Sequence, residues 1–144
     1  MLSKITEWAN QLGLIVANVE DPMVDFRLVV SEPNLPPIEI VHVKTDSAYV
    51  LIAARISIAE EHYKKLLATE PKEIENLLWE VKLKLLFMGV EFRIVRPEEK
   101  VPTAWEVHSK LFLEEAIPQH FSDVYMKVKN AALYVAWSYK RVLD

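Results

Sequence analysis

The sequence predicts an α+β fold, an antiparallel β-sheet of about six strands packed against helices, in the order α-β-β-β-β-α(broken)-β-β-α. Two observations predict it. Runs such as Val24 to Ser31 and Val90 to Val95 alternate apolar and polar residues, so one face of each strand is buried and the other wet. That pattern marks an antiparallel sheet rather than a doubly wound parallel one. Residues 71–88 and the stretch from 118 onward instead repeat apolar residues at helical spacing.

The elements follow in order. Ser3 is placed to cap a first helix with Ile5, Trp8, Ala9 and Leu12 on one side, and Gly13 supplies a left-handed stop. Leu14 to Val19 reads as a strand ended by the turn pair Asp21-Pro22. In the next strand Phe26, Leu28 and Val30 face one way and Asp25 and Arg27 the other. Glu32 to Pro37 holds three prolines and must be a loop, because each removes a ladder donor. Ile38 to Lys44 and Tyr49 to Ile58 form two more strands around the turn Thr45-Asp46-Ser47, completing a meander. Ser57-Ile58-Ala59-Glu60 matches a capping box for a helix to about Ala68. Thr69-Glu70-Pro71 breaks that helix and starts another, which runs to Met88 and stops at Gly89. Val90 to Val95 and Thr103 to Leu113 are strands around the charged loop 96–102, and a last helix starts near Pro118.

This succession resembles the secretion-chaperone-like fold, named for type III secretion chaperones, and uncharacterised archaeal families that share it. Val19-Glu20-Asp21-Pro22 and Asp25-Phe26 are similar to one such archaeal family of unknown function. The resemblance covers nearly the whole chain through element order. It implies a small dimeric α+β protein whose relatives bind other proteins, and it carries over no catalytic residue.

Composition narrows the function. With 144 residues, half of them hydrophobic, the chain is expected to be one domain over residues 1–144. No apolar run reaches the roughly 18 residues a membrane span needs, and no signal peptide is legible, so a cytoplasmic protein with no membrane contact is expected. The absence of cysteine excludes disulfides and thiolate chemistry. The net charge is −4 and the basic residues are scattered, so nucleic acid is not an expected partner. Two glycines against eight prolines, with few Asn and Gln, suggest heat adaptation.

Catalytic signals are weak. Two glycines leave no phosphate loop, and His42, His62, His108 and His120 show no ligand spacing, so no metal or cofactor is expected. His42 and His108 meet only if their strands pair. Glu60-Glu61-His62, Glu114-Glu115 and His120 with Asp123 offer acid–base groups, but helix-end electrostatics and surface pairing account for them. Asp21 and Asp25 flank a turn that explains Asp21 without a cation. Arg27, Arg55 and Arg93, at mid-strand, are candidates for an anion site if their strands are neighbours.

The strongest signal is apolar surface in excess. In residues 71–88, Ile74, Leu77, Leu78, Val81, Leu85 and Met88 form one stripe, while Trp79, Leu83 and Leu86 lie on the opposite side. In the last helix, Phe121, Val124, Tyr125, Val128, Ala132, Val135, Tyr139 and Val142 form the inner stripe, with Met126, Leu133 and Trp137 facing away. A helix on a single sheet needs one stripe, so the second must be covered by the other helix or by another chain. The sequence therefore points to a non-enzymatic protein-binding module of chaperone or adaptor type. It is expected to be a homodimer with a further protein partner, and Trp79, Leu83, Leu86, Met126, Leu133 and Trp137 are its candidate interface. The alternatives are a small-molecule or anion-binding regulator using the three arginines, and an unrecognised hydrolase.

Overall fold

The computed structural model describes residues 1–114 and 116–144, with the backbone alone at residue 99. Its elements are α1 (Leu2–Gln11), β1 (Ile15–Val19), β2 (Phe26–Ser31), β3 (Ile38–His42), β4 (Tyr49–Ser57), α2 (Glu60–Leu67), α3 (Pro71–Met88), β5 (Glu91–Val95), β6 (Ala104–Phe112) and α4 (Pro118–Leu143). The order and class match the sequence expectation. A one-turn 3-10 helix at Pro97–Glu99 sits in the charged loop.

The six strands form one antiparallel sheet in the order β1-β2-β3-β4-β6-β5. The first four follow the chain as a meander. The last pair is inverted: β6 takes the place beside β4 and leaves β5 at the edge. Alternation then sends Phe26, Leu28, Val30, Ile38, Ile40, Val50, Ile52, Ala54, Ile56, Trp105, Val107 and Leu111 to one face, where all are buried. The helices cover that face. α4 lies across β4 and β6, and α1, α2 and α3 each pack beside it.

Two junctions fix how the helical layer sits. Trp8 of α1 meets Phe121 of α4 with ring centroids 6.3 Å apart. Tyr125 of α4 donates to Glu32 in the β2–β3 loop at 2.7 Å, and Lys129 donates to the other oxygen of the same carboxylate at 3.1 Å. α3 ends as its sequence implies, with Gly89 in the left-handed region at φ 74°, so the chain reverses into β5 without Cβ strain.

Two expected caps do not form. α1 begins at Leu2, with Met1 as its cap residue, so Ser3 is already helical. Ser57 cannot cap α2 because it is the last residue of β4, held in register with Ala104, and the cap position falls to Ala59. A strand ladder there outcompetes a single side-chain hydrogen bond. Val142 also departs from expectation, being 51% exposed, while Leu143 is buried. The last turn of α4 leans on α2, where His62 reaches Asp144 and Lys65 donates to the Leu143 carbonyl, so its buried side shifts.

Candidate functional site

The outer face of the helical layer follows from the two-striped helices. On α3 the inner residues Ile74, Leu77, Leu78, Val81 and Leu85 are buried. The outer residues are not: Trp79 is 56%, Leu83 50% and Leu86 67% exposed. α4 repeats this, with Met126 41% and Trp137 63% exposed on its outer side. Leu133 is half-buried beside a depression of about 280 Å3 lined also by Pro36, Ile58, His62 and Trp137. The two helices therefore do not cover each other's second stripes. Phe87, 86% exposed, joins this surface and was missed in the sequence. At 100° per residue it lies about 80° from Trp79 on the same outer side, so the signal was present. The Lys82 ammonium sits 4.8 Å from the Trp79 ring centroid, a cation–π contact that leaves most of the indole in water.

Among the described residues no helix covers the other face of the sheet, and all three candidate arginines lie there. Register places Arg55, Glu106 and Arg93 in one row across β4, β6 and β5. Both guanidiniums donate to Glu106 Oε1, at 3.1 and 2.7 Å. Arg27 stands apart on β2, gripping Glu39 at 3.0–3.1 Å and Asp21 at 2.9 Å. The fold thus brings two of the three together, around a carboxylate, and gives the third its own acidic partners. Between these rows lies a depression of about 540 Å3 with Leu51 and Ala53 in its floor and Glu39, Arg55, Glu106 and His108 on its rim. Of the three arginines only Arg55 lines it, with its guanidinium already bound to Glu106.

Three of the histidines fall into separate pairs. His42 and His108 are kept apart because β4 lies between β3 and β6. His108 meets Glu91 and His62 meets Asp144, both at 2.6 Å near the surface. Asp123 accepts from Gln119 and not from His120. Asp21 and Asp25 also part, Asp21 holding Arg27 and the Met23 amide while Asp25 holds His42. Glu60 pairs with Lys64 along α2. Of Glu114-Glu115, residue 115 lies outside the described residues. Among the described residues no three His, Asp or Glu side chains converge on a metal position.

His42 is the group the sequence reading undervalued. It is 3% exposed, with Nδ1 2.7 Å from Asp25 Oδ2 and Nε2 3.0 Å from the Ser47 carbonyl oxygen, while Thr45 donates to Asp25 Oδ1 at 3.1 Å. Its place on the inner face after Ile38 and Ile40 was the available signal. An acid–imidazole pair is the material of a general base. Here, however, the second ring nitrogen is tied to a backbone carbonyl and the ring is enclosed. The pair works as a clamp joining the start of β2 to the β3–β4 turn.

That clamp sets an acid response. The hydrogen bond from His42 holds the Asp25 carboxyl below the ordinary aspartate range, against an opposing effect of burial, with Thr45 adding to the lowering. A carboxyl that binds its proton less readily folded than unfolded stabilises the fold above the ordinary aspartate range and loses that contribution as pH falls through its folded value. Melting temperature is expected to drop from about pH 5 downward, and Asp25→Asn is expected to flatten that drop while lowering the midpoint at neutral pH. A pH series of thermal melts reads both, and an unaltered acid limb in the variant would contradict the clamp.

Known proteins add the following. A family model described as an uncharacterized conserved protein (DUF2299) matches residues 1–139. The fold is similar to the crystal structure of an uncharacterized protein from Methanothermobacter thermautotrophicus, with a TM-score of 0.89 over 99% of this chain and 98% of that one, at 24% identity. At that identity the likeness concerns the fold. No curated protein matches the chain.

Proposed function

The chain belongs to DUF2299, a family of uncharacterized conserved proteins, and we propose that it is a non-enzymatic protein-binding module, self-associating through the outer face of its helices and presenting the remainder to a protein partner. One observation carries the reading: Trp79, Leu83, Leu86, Phe87 and Trp137 are each at least half exposed on helices whose inner sides are already packed. Large apolar side chains gathered in this way forfeit about 25 cal/mol per Å2 in water and recover it against another surface. Aromatic residues suit that role, because they dominate interface hot spots. We read residues 1–144 as one domain. The chaperone-like kinship, cytoplasmic placement and heat adaptation belong to the same reading. Helices on one side of an antiparallel sheet, the lack of cysteine, and two glycines against eight prolines support them. No helix among the described residues is long and apolar enough to cross a membrane.

The anion-binding alternative has less support, since Arg27, Arg55 and Arg93 are each paired with carboxylates. The hydrolase alternative has less still, since in the most organised acid–imidazole pair the imidazole is buried and both its ring nitrogens are taken. Solution mass decides the leading reading. Light scattering from about 1 to about 100 µM is expected to give twice the 16.7 kDa chain mass. A single-chain mass throughout would overturn self-association.

A further inference from the structure

The exposed apolar residues are not evenly spread. Trp79, Leu83, Leu86 and Phe87 crowd the second half of α3, within about 12 Å of helix at 1.5 Å per residue. Met126 and Trp137 on α4 stand about three turns, or roughly 16 Å, apart. The α3 spacing of i, i+4, i+7 and i+8 is the spacing of a helix–helix seam. The first half of the same outer face is polar, with Lys72, Glu75 and Asn76, so the seam is short and bounded.

Its layout is self-complementary. Leu83 lies midway, with Trp79 one turn before it and Phe87 one turn after. A second copy turned end over end about Leu83 would set Trp79 of each chain against Phe87 of the other and leave the two Leu83 side chains facing across the axis. No such balance exists on α4, where aliphatic Met126 lies at one end and Trp137 near the other. Extent agrees as well. From their exposures, these four side chains leave on the order of 500 Å2 in water per chain, so pairing two copies removes about 1,000 Å2, the threshold for a specific interface.

We propose that α3 is the self-association seam: two copies pair through it, antiparallel, about a twofold axis passing Leu83. The proposal rests on the self-association described above and adds which helix performs it. Met126, Leu133 and Trp137 then stay in water in the dimer, where the depression beside Trp137 and Pro36 remains open to a partner of a different kind.

Because the chain has no cysteine, one introduced thiol reports on one position. Leu83→Cys tests the axis directly. Lys82→Cys tests its neighbour without removing apolar surface, should Leu83→Cys weaken the pair. Each full-length variant is incubated with oxidised glutathione and its cross-linked fraction read on a non-reducing gel. Both are expected to cross-link at least about tenfold more than Lys72→Cys and Trp137→Cys, since disulfide geometry tolerates only a few ångströms of error. A native protein of dimer mass that cross-links through Trp137→Cys, or equally at all positions, overturns the seam and leaves self-association standing. A native protein of single-chain mass overturns both.

Discussion

Leu83→Glu is expected to convert the protein from two chains to one at micromolar concentration while leaving its fold intact. Leu83 is half exposed and belongs to the outer side of α3, so the core built on Leu78, Val81 and Leu85 does not depend on it. In the paired state the two introduced carboxylates would face each other across the axis with no cation between them. An uncompensated charge buried in an interface costs about 3 kcal/mol or more, which weakens association by at least about a hundredfold. Sedimentation equilibrium should show the loss, and circular dichroism an unchanged helix content. The melting temperature should also lose its dependence on concentration, because mass action no longer stabilises the folded chain. A variant of undiminished mass would show that α3 is not where the copies meet.

The second large effect lies under β6. Trp105 is fully buried, its indole Nε1 donates to the Tyr139 hydroxyl at 2.7 Å, and its ring lies 6.2 Å from Phe92 and 6.4 Å from Tyr139. It thus joins the strand between β4 and β5 to the last turns of α4. Trp105→Ala leaves a cavity and is expected to cost about 3–5 kcal/mol in urea unfolding. Tyr139→Phe is milder, about 1–3 kcal/mol, because it strands the indole N–H without a partner. In a double-mutant cycle, Trp105→Phe and Tyr139→Phe should be less damaging together than their separate costs imply, and strict additivity would deny the coupling. Alkali offers a second readout. Burial pushes the Tyr139 hydroxyl up to about 12, opposed by the Trp105 hydrogen bond and by Arg96. A folded value above the unfolded one means the contribution is complete below the ordinary tyrosine range and fades as pH climbs from about 10 toward 12. Tyr139→Phe should remove that alkaline limb.

What could be read in advance divides along physical lines. Periodicity is local, so the element order emerged from alternation in Val24 to Ser31 and from helical stripes in α3 and α4. Pairing is not local. Nothing in the spelling of Glu91–Val95 or Ala104–Phe112 says that β6 takes the place beside β4, and that choice is what brings Arg55 and Arg93 onto Glu106. The His42–Asp25 clamp was hidden for the same reason. Its partners are 17 positions apart and meet only through the β2–β3 register and the turn beyond it. Ser57 shows the converse error, since a local motif was present and the ladder to Ala104 overrode it. The second stripes of α3 and α4 were legible because a helical wheel needs no tertiary information. Phe87 escaped because it lies at the margin of its stripe.

The inverted last pair of strands also bears on how fast the chain can find its fold. β1 through β4 join by short turns and can zip along the chain, each closure costing little entropy. The β4–β6 pairing cannot, because α2, α3 and β5 all lie in the loop it closes. That long excursion raises the contact order and slows the search. Two of the six strands are therefore hostage to the ordering of α3, the same helix whose grease must stay out of the wrong contacts while the chain is still open.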